Sequence, residues 1–338
     1  MATRIVWIPG VMGSSLGVRA GGGGPVVPVW VEPLALLSGA IVQLQLAADG
    51  ASPGPLAKGA TTVVEGIFQP AYGEFPAFLE TLGYQVLRLG YDWRRDVVSV
   101  AALAWPIIAA WAGSDPVNLV GHSLGGLLAR AIYGQALAAG AGGQVAKIIT
   151  IGTPHYGTVE AVRLFWRLPI LYRGISKLCG WGAREIHGAG QDWLDATLAT
   201  HPAWYQLLPW FASGPLFLHS PAQATAIYTL PFYQGGNGYV MPSWLQLAQV
   251  VQGEMAAWLP AGKLTSIAGV GWNTTEFLDL TQSQNTDAGY TYTQQGDGLV
   301  TLAAASPVGA SVVQVATQHA LQPLDPAVWA VVVGLVGP

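Results

Sequence analysis

Cysteine occurs once in this sequence, at Cys179. An internal disulfide is therefore excluded, and no thiolate cluster can hold a metal. A lone thiol suits a reducing compartment. Charge is scarce as well. Asp, Glu, Lys and Arg make up 9% of the residues and the net charge is −4, against roughly 25% charged in an average globular chain. Lys and Arg form no cluster that could grip a phosphate backbone, so nucleic acid is not an expected partner. Long apolar runs are missing too: Val97–Gly113 and Ala327–Gly337 are too short or proline-interrupted to span a bilayer. The opening MATRIVWIPG lacks the extended apolar core of a secretory signal. A cytoplasmic location is expected from it, or a secreted one if a leader has been removed.

Apolar residues, by contrast, make up 51% of the chain. That is ample for a core and far from a disordered composition. With so little surface charge, self-association or adsorption to a lipid surface is expected, and the oligomeric state is left open. Short β-branched runs alternate with helix-like segments. Strands are expected at Arg4–Ile8, Tyr84–Leu89, Val117–Val120, Lys147–Ile151, Leu264–Val270 and Ser311–Ala316. Helices are expected at Glu74–Leu82, Val97–Ala112, Leu124–Ala139 and Asp325–Val336. Apolar strands alternating with helices predict an α/β fold, a mostly parallel sheet covered on both faces. No internal repeat of useful period appears.

Between Thr158 and Gly262 the alternation stops, and this 105-residue insert holds 7 of the 14 Trp. Residues 1–157 and 263–338 then form the core, and 158–262 a helical cap over the carboxyl edge of the sheet. Within it, Ala161–Arg184 carries Arg163, Arg167, Arg173, Lys177 and Arg184 with no acid, among aromatics that include Phe165 and Trp166. One interpretation is an interfacial element that meets lipid. The other is a cap packing its aromatics on the core beneath solvated arginines. Pro169 and Gly174 break any long amphipathic helix and favour the second. Phe165 and Trp166 are the cap residues expected to meet substrate.

The pattern G-x-S-x-G is spelled three times, around Ser15, Ser52 and Ser123. A nucleophile elbow needs a buried strand before the serine. It also needs a helix after it, whose free N–H groups favour developing negative charge. Ser52 is followed by Pro53, which has no N–H to donate to an oxyanion. Ser15 is followed by GVRAGGGGP, which cannot propagate a helix. Only VNLVGHSLGGLLARAIYG, Val117–Gly134, has both flanks, and Ser123 is the candidate nucleophile.

A serine hydroxyl needs a histidine to take its proton and a carboxylate to fix that histidine's tautomer. On such folds the order along the chain is Ser, acid, His. His319 follows the last expected strand and precedes the last expected helix, where a loop-borne base belongs. His122 adjoins the serine but points to the opposite side of the turn. His155, His187, His201 and His219 precede the late strands and are expected in cap or loops. Asp297, in QQGDGLVT, stands between glycines just before an apolar pair and is the candidate acid. Asp279 and Asp287 are rivals, the latter in a polar NTDAG turn where a solvated Asx-turn is the default. The oxyanion donors would be the N–H of Leu124 and that of Val11 or Met12 in IPGVMGSSLG. Ser14 and Ser15 could tie that loop down.

With these motifs assembled, the chain resembles the lecithin:cholesterol acyltransferase-like branch of the α/β-hydrolase superfamily. PGVMGSSL resembles the oxyanion loop, YDWRRD (Tyr91–Asp96) the Tyr-Asp-Trp-Arg element, GHSLGG the nucleophile turn, GTPHYGT the Gly-Thr-Pro turn and GDGLV the acid motif. The resemblance implies Ser123, Asp297 and His319 as the triad, Val11 and Leu124 as oxyanion donors, and a structural role for Asp92 and Arg94. It departs from the family's eukaryotic phospholipid enzymes in lacking their disulfides, and its cap matches none of them, so substrate identity does not transfer. The expected activity is hydrolysis of carboxylic esters, with an acyl group that is hydrophobic or lipid-like, through an acyl-enzyme and with no cofactor or metal. Transfer of the acyl group to an alcohol, amide cleavage and a non-catalytic lipid-binding role are the alternatives.

Overall fold

The structure is a computed structural model. It describes the whole chain except residues 1, 22, 33–34, 36–38, 166–195, 211–225, 234–238, 261, 280, 283–286 and 338. Eleven strands are described. β1 (Arg4–Ile8), β5 (Gln85–Arg88), β6 (Val117–His122), β7 (Val145–Ile151), β8 (Leu264–Gly269) and β11 (Ser311–Val315) form one sheet. Its order is β11-β8-β7-β6-β1-β5, and every neighbouring pair is parallel. β2 (Ser14–Arg19), β3 (Val26–Trp30) and β4 (Thr61–Ile67) make a small antiparallel sheet, and β9 (Thr274–Leu278) pairs with β10 (Tyr290–Thr293).

The expected α/β architecture is therefore present, and each of the six strands expected from apolar runs falls in the parallel sheet within a few residues. Its physical origin is visible in β1. Ile5 and Trp7 face one side with Phe75, Leu79 and Val328, while Val6 and Ile8 face the other with Leu124 and Ile132. A strand buried on both faces has no polar position to alternate with, so it reads as a continuous apolar run. The edges differ. β5 and β11 are half-exposed, and β11 carries Ser311 and Gln314 on open positions.

The helices are α1 (Gln69–Tyr72), α2 (Glu74–Thr81), α3 (Val97–Ala112), α4 (Leu124–Ala138), α5 (Val159–Phe165), α6 (Pro202–Tyr205), α7 (Pro242–Ala257), α8 (Leu302–Ala305) and α9 (Pro326–Val336). α3 and α4 cover one sheet face, and α1, α2 and α9 the other. α3 starts on Asp96, whose carboxylate accepts from Val98 N and Ser99 N at 3.3 and 2.7 Å. This satisfies two N–H groups that the first turn leaves open. No helix among the described residues is long and apolar enough to cross a membrane.

The antiparallel strands β2, β3 and β4 were not legible as strands. GSSLGVR reads as a glycine-rich loop, yet Ser14–Arg19 is held between two neighbours. The described part of the insert contains helices and turns only, and α6 and α7 each begin at a proline, Pro202 and Pro242. A proline at the first helical position lacks only an N–H that would be unpaired anyway. The α6 region docks on the loop after β5. Gln206 accepts from Val97 N at 3.0 Å, and Ala203 N donates to Arg94 O at 3.3 Å.

Asp92 and Arg94 form the polar pair that the sequence left trapped among aromatics. Arg94, 2% exposed, donates Nε and Nη2 to the two Asp92 oxygens at 2.8 and 2.7 Å and Nη1 to Leu44 O at 2.8 Å. Burial alone would raise the Asp92 pKa, but the hydrogen bonds and charge of Arg94 prevail and hold it below the ordinary 3.8. A depressed folded-state pKa contributes stability that is present above pH 3.8 and lost as pH falls through the folded value. Asp92→Ala, which strands a buried guanidinium, is expected to lower unfolding stability by about 3–5 kcal/mol. Urea denaturation at neutral pH measures it, and the difference from wild type should shrink in acid.

Candidate active site

β6 is buried throughout and ends at His122. The chain then turns sharply at Ser123, with φ 53° and ψ −123°, and enters α4 at Leu124. A left-handed φ on a serine costs energy and persists only where the surroundings impose it. Here they do. Ser123 N donates to Ile151 O on β7 at 2.8 Å, and Ser123 O accepts from Gly126 N at 3.0 Å. The flanking glycines are required by contact. A Cβ on Gly121 would lie 2.3 Å from Gly125 O, and one on Gly125 would lie 2.4 Å from both Ile8 O and Pro9 O. The helix therefore sits directly against the carboxyl end of β1.

That location follows from the sheet order. From β1 the chain moves to β5 on one side and then returns to β6 on the other. This reversal opens a crevice at the carboxyl ends of β1 and β6. Ser123 follows one strand and Val11 the other. β11 delivers His319 four residues beyond its end, at the start of a 3₁₀ turn over His319–Leu324. Asp297 bridges to Trp272 in the stretch just after β8.

The structure brings Ser123, His319 and Asp297 together. His319 Nε2 lies 3.0 Å from Ser123 Oγ, and His319 Nδ1 lies 2.8 Å from Asp297 Oδ2. All three residues are buried. Asp297 Oδ1 accepts from Leu299 N and Val300 N at 3.0 and 2.7 Å, and Asp297 O accepts from His319 N at 2.9 Å. A carboxylate that accepts from Nδ1–H leaves Nε2 as the unprotonated nitrogen, facing the hydroxyl.

The other described histidines are occupied elsewhere. Burial, then the neighbouring His319, pushes His122 well below the ordinary histidine pKa. Burial, then Arg130, does the same to His155, whose ring bonds Thr150 and Arg130 at 2.9 and 3.0 Å. Burial, then Arg94, lowers His201 to about 3, and its Nε2 donates to Leu44 O at 2.9 Å. His187 and His219 lie outside the described residues. Among the rivals of Asp297, Asp279 bonds Thr281 at a partly exposed turn, and Asp287 opens a 3₁₀ turn before β10.

Val11 follows β1 and Leu124 opens α4 directly after Ser123, and among the described residues no acceptor is seen for either backbone N–H. The loop from Gly10 to Ser14 is pinned at several points. Met12 has φ 62°, and its carbonyl accepts from Trp30 Nε1 at 2.7 Å. Gly13 N donates to Gly10 O at 3.0 Å, and Ser14 Oγ accepts from Tyr91 N at 3.0 Å. Tyr91 Oη donates to Pro9 O at 3.0 Å and Trp93 Nε1 to Ser14 O at 3.1 Å, so the YDWR element fastens this loop. Of the two serines expected to tie the loop, Ser14 does so through its side chain. Ser15 makes no described side-chain bond and serves as a β2 residue opposite Gly66.

Phe165 is 2% exposed and packs on Tyr205 and Tyr233, with ring centroids 4.6 and 5.7 Å away. Trp166, Arg167, Arg173, Lys177, Cys179 and Arg184 lie outside the described residues, as do both proline and glycine breaks of that segment. Arg163 is described and is buried against Glu160, Thr275 and Tyr292 rather than solvated. The expectation of solvated arginines fails there, because a carboxylate and two tyrosine rings surround its guanidinium. Among the described residues no three His, Cys, Asp or Glu side chains cluster as a metal site.

One contributor was missed. Gln322 is fully buried, and its Nε2 donates to Asp297 Oδ2 at 3.1 Å and to Thr317 O at 3.3 Å. Its spacing from His319, three residues along a turn, was the available signal. Gly152 (φ +54°) and Gly269 close the cluster from behind. A Cβ on Gly152 would come within 2.2 Å of Gln322 Oε1 and 3.1 Å of both Asp297 Oδ2 and His319 Nδ1.

A family model described as a PGAP1-like alpha/beta domain matches residues 109–175, the stretch containing β6, Ser123 and β7. Comparison with the curated proteins finds no match. Among solved structures, the chain is similar to one in the crystal structure of the Tle4–Tli4 complex. The TM-score is 0.59 at 15% identity, covering 99% of this chain and 98% of that one. Weaker likenesses include Bacillus licheniformis lipase BlEst2 in mature form (TM-score 0.40, 15% identity, 100% and 93% covered). Staphylococcus hyicus lipase is a third (0.39, 12%, 97% and 92%). The sheet order, the alpha/beta family-model match and the likeness to the chain in the Tle4–Tli4 complex together give an α/β-hydrolase fold. The matched family model, over residues 109–175, supports the alpha/beta domain and does not reach the finer lecithin:cholesterol acyltransferase-like branch.

The hydrogen bond from His319 Nδ1–H to Asp297 Oδ2 is expected to give a strongly downfield proton resonance. Asp297→Ala should abolish it, and Gln322→Ala should shift it upfield while keeping it. Proton NMR of the three proteins checks this; a resonance unchanged in Asp297→Ala would contradict the assigned partners.

Proposed function

We propose that this protein is a serine hydrolase that cleaves carboxylic esters through an acyl-enzyme, with Ser123, His319 and Asp297 as its triad. The observation that carries the proposal is the continuous chain from Ser123 Oγ through the imidazole of His319 to Asp297, at 3.0 and 2.8 Å.

His319 Nε2 takes the Ser123 proton as Oγ attacks the ester carbonyl, and the carbonyl electrons move onto oxygen. The N–H groups of Val11 and Leu124 stabilise that oxyanion. Leu124 opens α4, so the helix dipole adds to its donor. Collapse of the tetrahedral intermediate expels the alcohol, protonated by His319 Nε2–H. A water molecule, deprotonated by the same nitrogen, then attacks the acyl-enzyme and releases the carboxylic acid and free Ser123. Asp297 keeps Nδ1 protonated and faces the imidazolium that forms at each transfer. Hydrogen bonds from Leu299 N, Val300 N and Gln322 Nε2 hold the carboxylate in place.

The substrate class is a hydrophobic or lipid-like ester. It is supported by the aromatic content of the insert, where Phe165, Tyr205 and Tyr233 pack together, and by the scarcity of charge across the whole chain. The core at 1–157 and 263–338 with a cap at 158–262 belongs to the same proposal, as does Trp166 as a substrate contact.

Ser123→Ala is expected to lower kcat by roughly 10⁴-fold or more on a panel of p-nitrophenyl esters of graded acyl length. Asp297→Asn should cost on the order of 10⁴-fold, through the wrong imidazole tautomer. Wild type should favour the longer acyl groups. With excess alcohol present, free carboxylic acid should remain the main product; a transferred ester as main product would make the protein an acyltransferase. Activity that survives in Ser123→Ala refutes the triad.

A further inference from the structure

His122, the residue before the nucleophile, has no part in the chemistry above, yet both its ring nitrogens are engaged. Nε2 lies 3.1 Å from the carbonyl oxygen of His319, and Nδ1 lies 2.8 Å from the hydroxyl of Tyr72. The His122 ring is 4.9 Å from that of His319 and 5.7 Å from that of Tyr72, centroid to centroid. His122 and Tyr72 are 3% and 7% exposed.

The direction of each bond can be deduced. A carbonyl only accepts, so Nε2 carries the hydrogen. Burial holds the ring neutral, which leaves Nδ1 bare and makes the Tyr72 hydroxyl the donor to it. The Tyr72 hydroxyl also reaches the loop after β1, where a Cβ placed on Gly10 would lie 2.9 Å from its oxygen. A hydrogen-bonded line therefore runs from Tyr72 O–H to His122 and on to the carbonyl of His319, and its tyrosine end packs against Gly10. Its ends matter. Gly10 immediately precedes Val11 in the loop that offers an oxyanion donor, and His319 is the base. The line passes beneath Ser123, whose Cβ would lie 3.0 Å from a Cβ placed on Gly10.

We propose that Tyr72 and His122 are positioning residues that set the separation between the oxyanion loop and the base loop on either side of Ser123. This rests on the ester-hydrolase reading above. Gly10 and His319 are 309 residues apart along the chain, and Tyr72 and His122 span the distance between their two loops. A neutral histidine serves here because it donates and accepts from opposite edges of one rigid ring. An apolar residue in its place would fill the volume, take one donor from the His319 carbonyl and leave the Tyr72 hydroxyl without its acceptor.

The test uses the full chain, an active-site fluorophosphonate and one p-nitrophenyl ester. Tyr72→Phe deletes a single oxygen, His122→Leu removes both bonds, and His122→Gln keeps an N–H able to reach the carbonyl. Expected are falls in kcat of roughly 10-fold for Tyr72→Phe and about 100-fold for His122→Leu, with KM unchanged. His122→Gln should recover part of the loss, and phosphonate labelling rates at Ser123 should fall in the same order. Wild-type labelling at Ser123 together with wild-type kcat in Tyr72→Phe would overturn the proposal. So would equal losses in His122→Gln and His122→Leu, which would mean packing alone. Absence of labelling in the wild type would instead refute the hydrolase reading and carry this proposal down with it.

Discussion

The strained turn at Ser123 is the constraint on which the rest of the site depends. A serine at φ 53° is held by a hydrogen bond to β7 on one side and the first turn of α4 on the other. The turn is tolerated only because Gly121 and Gly125 permit backbone-to-backbone contact that a single methyl group would prevent. That contact presses the start of α4 against the end of β1, which places the loop after β1 beside the hydroxyl. The location of Val11 relative to Ser123 is thus a consequence of two missing side chains.

Around that turn the polar groups are arranged so that buried charge is always met. Arg94 has Asp92, Arg163 has Glu160, and Asp297 has two backbone N–H groups, Gln322 and His319. An unpaired buried ion would cost several kcal/mol, and with 9% charged residues the chain has few to place. The described histidines sort by the same logic. Three are neutral and fastened within the fold, and the fourth faces a hydroxyl and a carboxylate. Their hydrogen-bond partners separate these otherwise identical side chains.

Much of this was legible in the residues. The strands of the parallel sheet and four helices can be read from apolar runs and periodicity, because strands buried on both faces leave an unbroken signal. Ser123 is separable from Ser15 and Ser52 by flanks alone, since Pro53 removes a donor and GVRAGGGGP cannot become a helix. The antiparallel strands β2 to β4 were illegible. Ser14–Arg19 has glycine and serine where a pattern would need alternating apolar residues, and its strand conformation is imposed by neighbours. Gln322 was hidden for a related reason: its three-residue spacing from His319 is a weak signal, and only the fold tells that its amide meets a carboxylate. Tyr72 was invisible until α1 brought it to His122. Arg163 misled because the acid-free stretch 161–184 begins one residue after Glu160, the carboxylate that pairs with it, and because β9 and β10 supply a threonine and tyrosine faces that only the fold reveals.

The hydroxyl and imidazole that meet at 3.0 Å are separated by 196 positions of chain, and the imidazole is delivered by the last strand of the sheet. Contacts of such high sequence separation form late, after the entropy of closing a long loop has been met by other pairings. A nascent chain emerging from the ribosome therefore carries Ser123, its elbow and α4 long before His319 can meet them. The contacts among Ser123, His319 and Asp297 thus form only once the final strand is in place, and a chain lacking it lacks the arrangement on which the proposed activity rests.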